Sequence, residues 1–204
     1  MTLDSTKLHV GCGPQLLDGW INVDNQPYPG VDQVLDVREA FPFSDLQFIY
    51  AEHFIEHLPY DDAVTFLCNC RQALRDDGVM RISTPNLDWV WITQYHYGSW
   101  TSESEEVQDC FWINRGFHGW GHRFLYNKAA LKETLHDAGF AEVVLCRYGE
   151  SSHPELNGVE RHEQYLDVPE MPHIIIVEAS GRRSEPSQIL ASPREDFLTA
   201  VAAK

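Results

Sequence analysis

The sequence of 204 residues predicts an α/β protein with a doubly wound, mostly parallel sheet that includes an antiparallel edge strand. Two observations predict this class. Four short apolar runs in the first fifty-odd residues each end in a glycine or a polar residue, as buried parallel strands do. Later, the run Ile174–Val177 is typical of one more buried strand, and the residues from 182 onward turn polar. We therefore expect one domain over residues 1–181, followed by a linker and a short helix over 182–204.

The first two runs carry the groups that point to a ligand. Leu8–Val10 leads into Gly11, Cys12 and Gly13, a turn whose glycines let the backbone approach a ligand closely. Ile21–Val23 ends in Asp24, and a carboxylate at that place can accept both hydroxyls of a ribose. Taken singly, such glycines mostly serve turns and such an aspartate mostly caps a helix or a turn. Their order and spacing favour a binding crevice.

The next two runs repeat the pattern. Val34 and Leu35 precede Asp36, and the run from Phe48 to Ala51 ends in Glu52 and His53. Because ligands of an open α/β sheet bind outside the carboxyl ends of its strands, these strand ends are expected to line one site.

With these motifs in place, residues 7–85 resemble a class I S-adenosylmethionine-dependent methyltransferase, which has a Rossmann-like fold. They are similar to the small bacterial branch of that family in which the first motif, GCG, continues into GWINVD. FIEHL at 54–58, ALRDDGVMRISTPN at 73–86 and, more weakly, GHRFLYNKAALKETLHDAGF at 121–140 extend the resemblance.

The resemblance implies S-adenosylmethionine as the cofactor and assigns a role to several residues. The glycines would lie beside its methionine part, Asp24 would bind the ribose hydroxyls, and Asp36 would bind the adenine amino group. The full set of expected cofactor contacts is Gly11, Cys12, Gly13, Asp24, Asp36, Val37 and Glu52.

The chain departs from the family pattern in its first helix. Asp24 follows Gly13 by 11 residues, where a dinucleotide-binding fold has the acidic residue about 20 residues on. Pro14 and Gly19 also disfavour a helix in this stretch. We therefore expect a stub or no helix between the first two strands. This counts against an NAD enzyme, whose pyrophosphate needs a helix N-terminus.

Composition limits the partners. There are 15 basic and 31 acidic residues, a formal net charge of −16, which disfavours nucleic acid as a substrate and leaves small molecules or glycan precursors. The amino terminus has no signal-peptide pattern and no long apolar run is present, so a cytoplasmic protein without a membrane partner is expected. The five cysteines form no CxxC pair and are expected to be reduced.

Residues 86–126 are exceptionally aromatic and are expected to form an insertion after the fifth strand. This segment is either a lid that shapes an acceptor pocket or a helical insertion whose aromatic residues fill a core. Within it, His118 and His122 are candidate catalytic residues or a candidate metal pair. Gly119 and Gly121 favour loop geometry over shared ligation from one helix, so no metal site is expected.

The remaining elements follow local signals. Helices are expected over 60–76 and from an Asn127 cap to Gly139, with strands over 141–147 and 173–179 as the antiparallel edge and a long loop over 148–172. A last helix is expected to begin at a Ser192 cap and to dock on the body or on a second subunit. His153, His162 and Tyr165 in the long loop are candidate substrate contacts, although solvent exposure is the favoured interpretation.

Methyl transfer requires an acceptor held in line with the breaking bond, and a histidine is the first candidate for a base. His53 and His57 are the candidates near the cofactor, while Glu56 is expected to face solvent or to orient a histidine. The favoured hypothesis is methyl transfer to an oxygen or nitrogen of a small metabolite or glycan precursor by a protein whose oligomeric state is open. The alternatives are a non-catalytic nucleoside-binding module and a histidine-based metal hydrolase.

Overall fold

The computed structural model describes residues 5–165, 168 and 171–203. Its centre is a sheet of seven strands in the order β3-β2-β1-β4-β5-β7-β6. The strands are β1 (Lys7–Val10), β2 (Ile21–Asp24), β3 (Gln33–Val34), β4 (Leu46–Glu52), β5 (Leu74–Pro85), β6 (Glu142–Leu145) and β7 (Ile174–Ser180). The helices are α1 (Tyr60–Ala73), α2 (Leu87–Gln94), α3 (Glu103–His118), α4 (Lys128–Asp137) and α5 (Ala191–Ala202).

The strand directions confirm the predicted Rossmann-like α/β class. β1 to β5 pair in parallel, whereas β7 runs antiparallel to both of its neighbours, β5 and β6. The antiparallel strand thus lies beside the edge strand β6. Since β1, β2, β4 and β5 point the same way, their carboxyl ends meet at one edge of the sheet.

The two faces of the sheet are covered differently. Successive residues of a strand point to opposite faces, so Ile49 belongs to a large core shared with α1 and α4, while Phe48 and Tyr50 belong to a smaller one. The smaller core is closed by residues of two loops, Leu17 and Trp20 from one and Leu156 and Val159 from the other.

The expected absence of a first helix is confirmed for the described chain between β1 and β2. Asn22 on β2 satisfies the backbone of this connection instead. Its Oδ1 accepts the N–H of Leu17 at 2.8 Å, and its Nδ2 donates to the carbonyls of Leu17 and Trp20 at 3.1 Å each. Buried backbone groups need such partners when no helix supplies them.

Two of the helix predictions need correction at their ends. α1 stops at Ala73 and not at residue 76, because Leu74 is extended and pairs with Leu46 at the start of β5. α5 begins at Ala191, so Ser192 lies inside the helix and does not cap it; the N–H of Arg194 already bonds the Leu190 carbonyl at 2.9 Å.

Two other local predictions are confirmed. Asn127 caps α4, its Oδ1 accepting the N–H of Ala130 at 2.8 Å, and Gly139 follows the helix with a φ of +97°. α5 docks on the body through Phe197, whose ring lies 5.2 Å from that of Phe124. No helix in the described ranges has the length and apolar character needed to span a bilayer.

A buried ion triad ties the loop before β7 to the sheet. Arg81 on β5 is fully buried, with its Nε 2.6 Å from Glu160 and its Nη1 2.6 Å from Glu178 on the paired strand β7. Arg81 also donates to the backbone carbonyls of Glu150 and Arg147. The buried charge of Arg81 is thus paired with two carboxylates of the fold.

Removing the arginine of this triad should destabilise the fold strongly. Arg81→Met leaves two carboxylates close together without their cation, and we expect the free energy of unfolding to fall by about 3–5 kcal/mol. Arg182→Met is the matched control, because it breaks the exposed Arg182–Asp76 pair and should cost about 1 kcal/mol or less. Urea denaturation of both variants measures the difference, and equal losses would contradict a structural role for the triad.

Candidate active site

A cavity of about 390 Å³ opens where the strands end. The glycine turn after β1, Asp24 at the end of β2 and the segment after β3 form one side of it. Phe54 and His57, which follow β4, form the other side. Four of the residues predicted to contact a cofactor line this cavity: Gly11, Asp24, Asp36 and Val37.

Asp24 organises the glycine turn. Its Oδ2 accepts the N–H of Gly13 at 2.9 Å and its Oδ1 accepts the N–H of Gln26 at 2.9 Å. Gly11 and Gly13 have φ values of +67° and +51°, in the left-handed region that favours glycine. A Cβ at Gly11 would lie 2.3 Å from Cδ2 of Phe54, so this glycine also permits a close packing contact.

Asp36 is partly exposed and ionised. Arg38 holds it through two guanidinium nitrogens, with Nη2 at 2.6 Å from Oδ2. Hydrogen bonds from the Arg38 side chain and backbone lower the pKa of Asp36 to about 2. The group is therefore an ionised hydrogen-bond acceptor at neutral pH.

Cys12, Gly13 and Glu52 are not among the described residues that line this cavity. Cys12 is buried, and burial raises the pKa of its thiol to about 11. The carboxylate of Glu52 accepts the backbone N–H groups of Arg161 and His162 at 2.9–3.1 Å. Glu52 thus anchors the loop before β7, a function that the position of the residue at a strand end did not indicate.

A larger cavity of about 710 Å³ lies next to the first and shares His57 with it. Three parts of the chain close it: the segment after β4, the helical insertion, and the loop before β7. Its lining holds five histidines and three large aromatic residues: His53, His57, His122, His162, His173, Trp89, Trp120 and Tyr165. Arg115 and Glu163 add charge of both signs.

Glu56 lies beneath the junction of the two cavities and is fully buried. The expectation that it faces solvent is therefore wrong. Its Oε2 accepts the hydroxyl of Thr84 at 2.9 Å, and its Oε1 lies 3.3 Å from Nδ1 of His53 and 4.0 Å from Nε2 of His57. This places one carboxylate between two of the predicted catalytic histidines.

His53 is held in an unusual backbone conformation with a φ of +46°, its N–H bonded to the carbonyl of Ser83 at 2.9 Å. Its ring packs on that of His162 at 4.1 Å, and its Nε2 has no hydrogen-bond partner among the described residues. Strained, well-packed residues of this kind are concentrated at functional sites.

The two histidines of the insertion are separated. His118 ends α3 on its exposed side, outside the described lining of both cavities, so the structure does not bring it together with the other predicted histidines. His122 follows the short turn Gly119–Gly121, and its ring lies 5.3 Å from that of His57. The N–H groups of Arg123 and Phe124 both donate to the carbonyl of Glu56, which brings His122 to this place.

Sequence reasoning missed the part of the site that packing creates. His162 and Tyr165 line the larger cavity, where solvent exposure was favoured, whereas His153 packs on Phe48 at 5.5 Å in the smaller core. Arg115 and His173 were not singled out, and Trp89 was considered only as one of the aromatic residues of the insertion. A signal for His173 was available, because it is the first residue of the strand that was expected over 173–179.

Comparison with known proteins identifies related sequences and folds. A family model described as a methyltransferase domain matches residues 8–145. No curated protein matches the chain. An S-adenosylmethionine-dependent methyltransferase from Clostridium acetobutylicum ATCC 824 has a similar structure, with 9% identity, a TM-score of 0.55, and coverage of 87% of this chain and 84% of that one.

Two further structures have the same fold. The S-adenosylmethionine-dependent methyltransferase SibL in its apo form is 14% identical, with a TM-score of 0.51 over 87% of this chain and 50% of that one. The CMeT domain of the citrinin polyketide synthase is 14% identical, with a TM-score of 0.50 over 90% of this chain and 48% of that one. The chain spans about half the length of these two proteins.

The two glycines of the first turn should respond differently to a methyl group. Gly11→Ala and Gly13→Ala both place alanine at positive φ, at a cost of about 1–2 kcal/mol in the free energy of unfolding. Gly11→Ala also forces Phe54 aside, for a further loss of about 1–3 kcal/mol, whereas a Cβ at Gly13 meets nothing within 4 Å. Urea denaturation compares them, and equal losses would rule out tight packing of Phe54 on Gly11.

Proposed function

The chain belongs to the methyltransferase domain family, and from this premise we propose that it transfers a methyl group from S-adenosylmethionine to an oxygen or nitrogen of a small metabolite or glycan precursor. The observation that carries the proposal is the position of His57 in the walls of both cavities. A donor in the smaller cavity and an acceptor in the larger one would meet there.

The smaller cavity fits the adenosyl part of this cofactor. In this proposal Asp24 accepts from the ribose hydroxyls, Asp36 accepts from the adenine amino group, and Val37 makes an apolar contact to the base, which is supported by their shared position in the cavity lining. Asp62 adds a third carboxylate to the lining. Acidic groups attract a cationic sulfonium and repel the pyrophosphate of NAD. S-adenosylmethionine, when bound, supplies the electrophilic methyl group.

The residues of the larger cavity would position the acceptor and take its proton. His53 is the base in this proposal. His53 lines the cavity, its buried Nε2 has no hydrogen-bond partner among the described residues, and the nearby carboxylate of Glu56 would stabilise the imidazolium formed when His53 accepts a proton. His57, at the junction, contacts the reacting groups, and the remainder of the rate enhancement comes from holding the acceptor in line.

The helical insertion of residues 86–126 acts as a lid in this proposal. Trp89 and Trp120 contribute to the cavity wall, while Trp91, Tyr97 and Phe111 are exposed on the outside. Closing the aromatic wall over an acceptor would exclude water from the transfer.

All five cysteines lie in the described chain and carry free thiols, which agrees with a reducing cytoplasmic compartment.

Cofactor binding should depend on Asp36. Asp36→Ala removes an ionised hydrogen-bond acceptor, and we expect the affinity for S-adenosylmethionine to fall at least about tenfold. Asp76→Ala is the control, since it makes the same change of charge at the exposed start of β5. Calorimetric titration with S-adenosylmethionine, its demethylated product and NAD tests both variants. Unchanged affinity in Asp36→Ala would remove the adenine assignment, and binding of NAD alone would overturn the proposed cofactor.

Turnover should depend on His53 more than binding does. His53→Asn keeps a residue that tolerates positive φ, and we expect the turnover number to fall about 100-fold while cofactor affinity changes little. The assay measures formation of the demethylated cofactor with a panel of hydroxyl- and amine-bearing metabolites. Cofactor binding by the wild type with no turnover on any acceptor would favour a non-catalytic binding module.

A further inference from the structure

Three side chains that bind metals well in proteins meet at the junction of the two cavities. Glu56, His57 and His122 each place one ligand atom within 4.8 Å of the others. They come from two distant parts of the chain, since Glu56 and His57 follow β4 and His122 ends the insertion. The backbone bonds from Arg123 and Phe124 to the Glu56 carbonyl hold these two parts together.

The two oxygens of the buried Glu56 carboxylate differ, because one accepts a hydrogen bond and the other does not. Thr84 donates to Oε2, whereas Oε1 has no hydrogen-bond partner among the described residues. An ionised carboxylate that is fully buried needs partners for its remaining lone pairs, because burial without compensation is costly. Oε1 is the atom that lies nearest the two neighbouring histidines, His53 and His57.

His57 and His122 each have a ring nitrogen that could bind a metal ion. Nδ1 of His122 lies 2.9 Å from the carbonyl of Gly116, a contact that requires Nδ1 to carry the proton and leaves Nε2 with its lone pair. Metal-binding histidines usually have their second nitrogen held in this way. Nε2 of His57 faces Glu56 at 4.0 Å, and its side chain is 37% exposed, so it has room to move.

We propose that Glu56, His57 and His122 bind a divalent transition metal ion. Two imidazoles and one carboxylate are the donor set of catalytic zinc sites and of other open transition-metal sites, whereas Mg²⁺ prefers oxygen ligands alone. Ligands of a Zn²⁺ ion at its usual bond lengths lie about 3.4 Å apart, so ligand atoms that are up to 4.8 Å apart would have to approach one another on binding. The partly exposed His57 side chain has room for such a movement.

The role of the ion rests on the proposed methyl transfer. An ion held by these three residues would lie at the junction, where an acceptor hydroxyl would meet the methyl group. A bound ion would polarise that hydroxyl, and the proton would pass to His53, the base of the proposed methyl transfer. The acceptor oxygen then forms its bond to the methyl carbon as the carbon–sulfur bond breaks, and both electrons of that bond stay on sulfur. The substrate class is therefore an alcohol or phenol that can bind a metal ion.

The test is direct binding of metal to the intact protein. Titration of the metal-free protein with Co²⁺, followed by its visible absorption, and with Zn²⁺ in competition should show one equivalent bound. Glu56→Gln and His122→Ala should each weaken binding at least about tenfold. His118→Ala is the matched control, because it removes a histidine of the same insertion that lies outside the cluster. Thermal unfolding of each variant shows whether it is folded.

Each outcome decides the proposal. One equivalent bound, weakened in Glu56→Gln or in His122→Ala and unchanged in His118→Ala, supports it. No binding by the wild type, or binding that His118→Ala weakens as much as His122→Ala, overturns it. Titration with S-adenosylmethionine separates this result from the proposed function. If the protein binds the cofactor but no metal, the metal site is ruled out and the methyltransferase proposal stands.

Discussion

The buried ion triad around Arg81 is the interaction on which the larger cavity depends. The loop before β7 has little regular structure to hold it, yet it contributes His162 and Tyr165 to the cavity wall. Glu160 fixes this loop to Arg81 in the sheet, and Glu52 binds the backbone of the two residues that follow Glu160. A short stretch of loop is thus held by charged hydrogen bonds at consecutive positions, which compensates for its lack of secondary structure.

Glu52 and Glu56 show how two carboxylates near one strand end come to differ. Glu52 accepts three hydrogen-bond contacts from backbone N–H groups and is saturated by them. Glu56 is more deeply buried but accepts only the Thr84 hydroxyl through one oxygen, with the other facing histidines. A saturated carboxylate stabilises structure, whereas one with an unsatisfied oxygen is available for a proton, a cation or a substrate. For that reason the proposed mechanism uses Glu56 and not Glu52.

The sequence predicts the strands and the smaller cavity well because both depend on local pattern. Each strand is a short apolar run, and the residue after it must lie at the sheet edge, so Gly11, Asp24 and Asp36 could be placed without a structure. The larger cavity depends on how the insertion and the late loop pack. His57 and His122 come together only through backbone bonds to Glu56, and nothing in the local pattern near residue 56 indicates burial. The existence of α5 likewise follows from local pattern, whereas its first residue, Ala191, could not be predicted from that pattern.

The missing first helix also changes how an anionic group can be held at the sheet edge. In a longer first connection, a helix N-terminus would offer free N–H groups. Here the N–H groups of Cys12, Gly13 and Gln15 already donate to partners in the chain. Arg38 is paired with Asp36, whereas Arg123 lines the cavity from the end of the insertion. In the proposed complex, the carboxylate of the cofactor would therefore pair with Arg123, which neighbours His122 in the segment that completes the junction with the larger cavity.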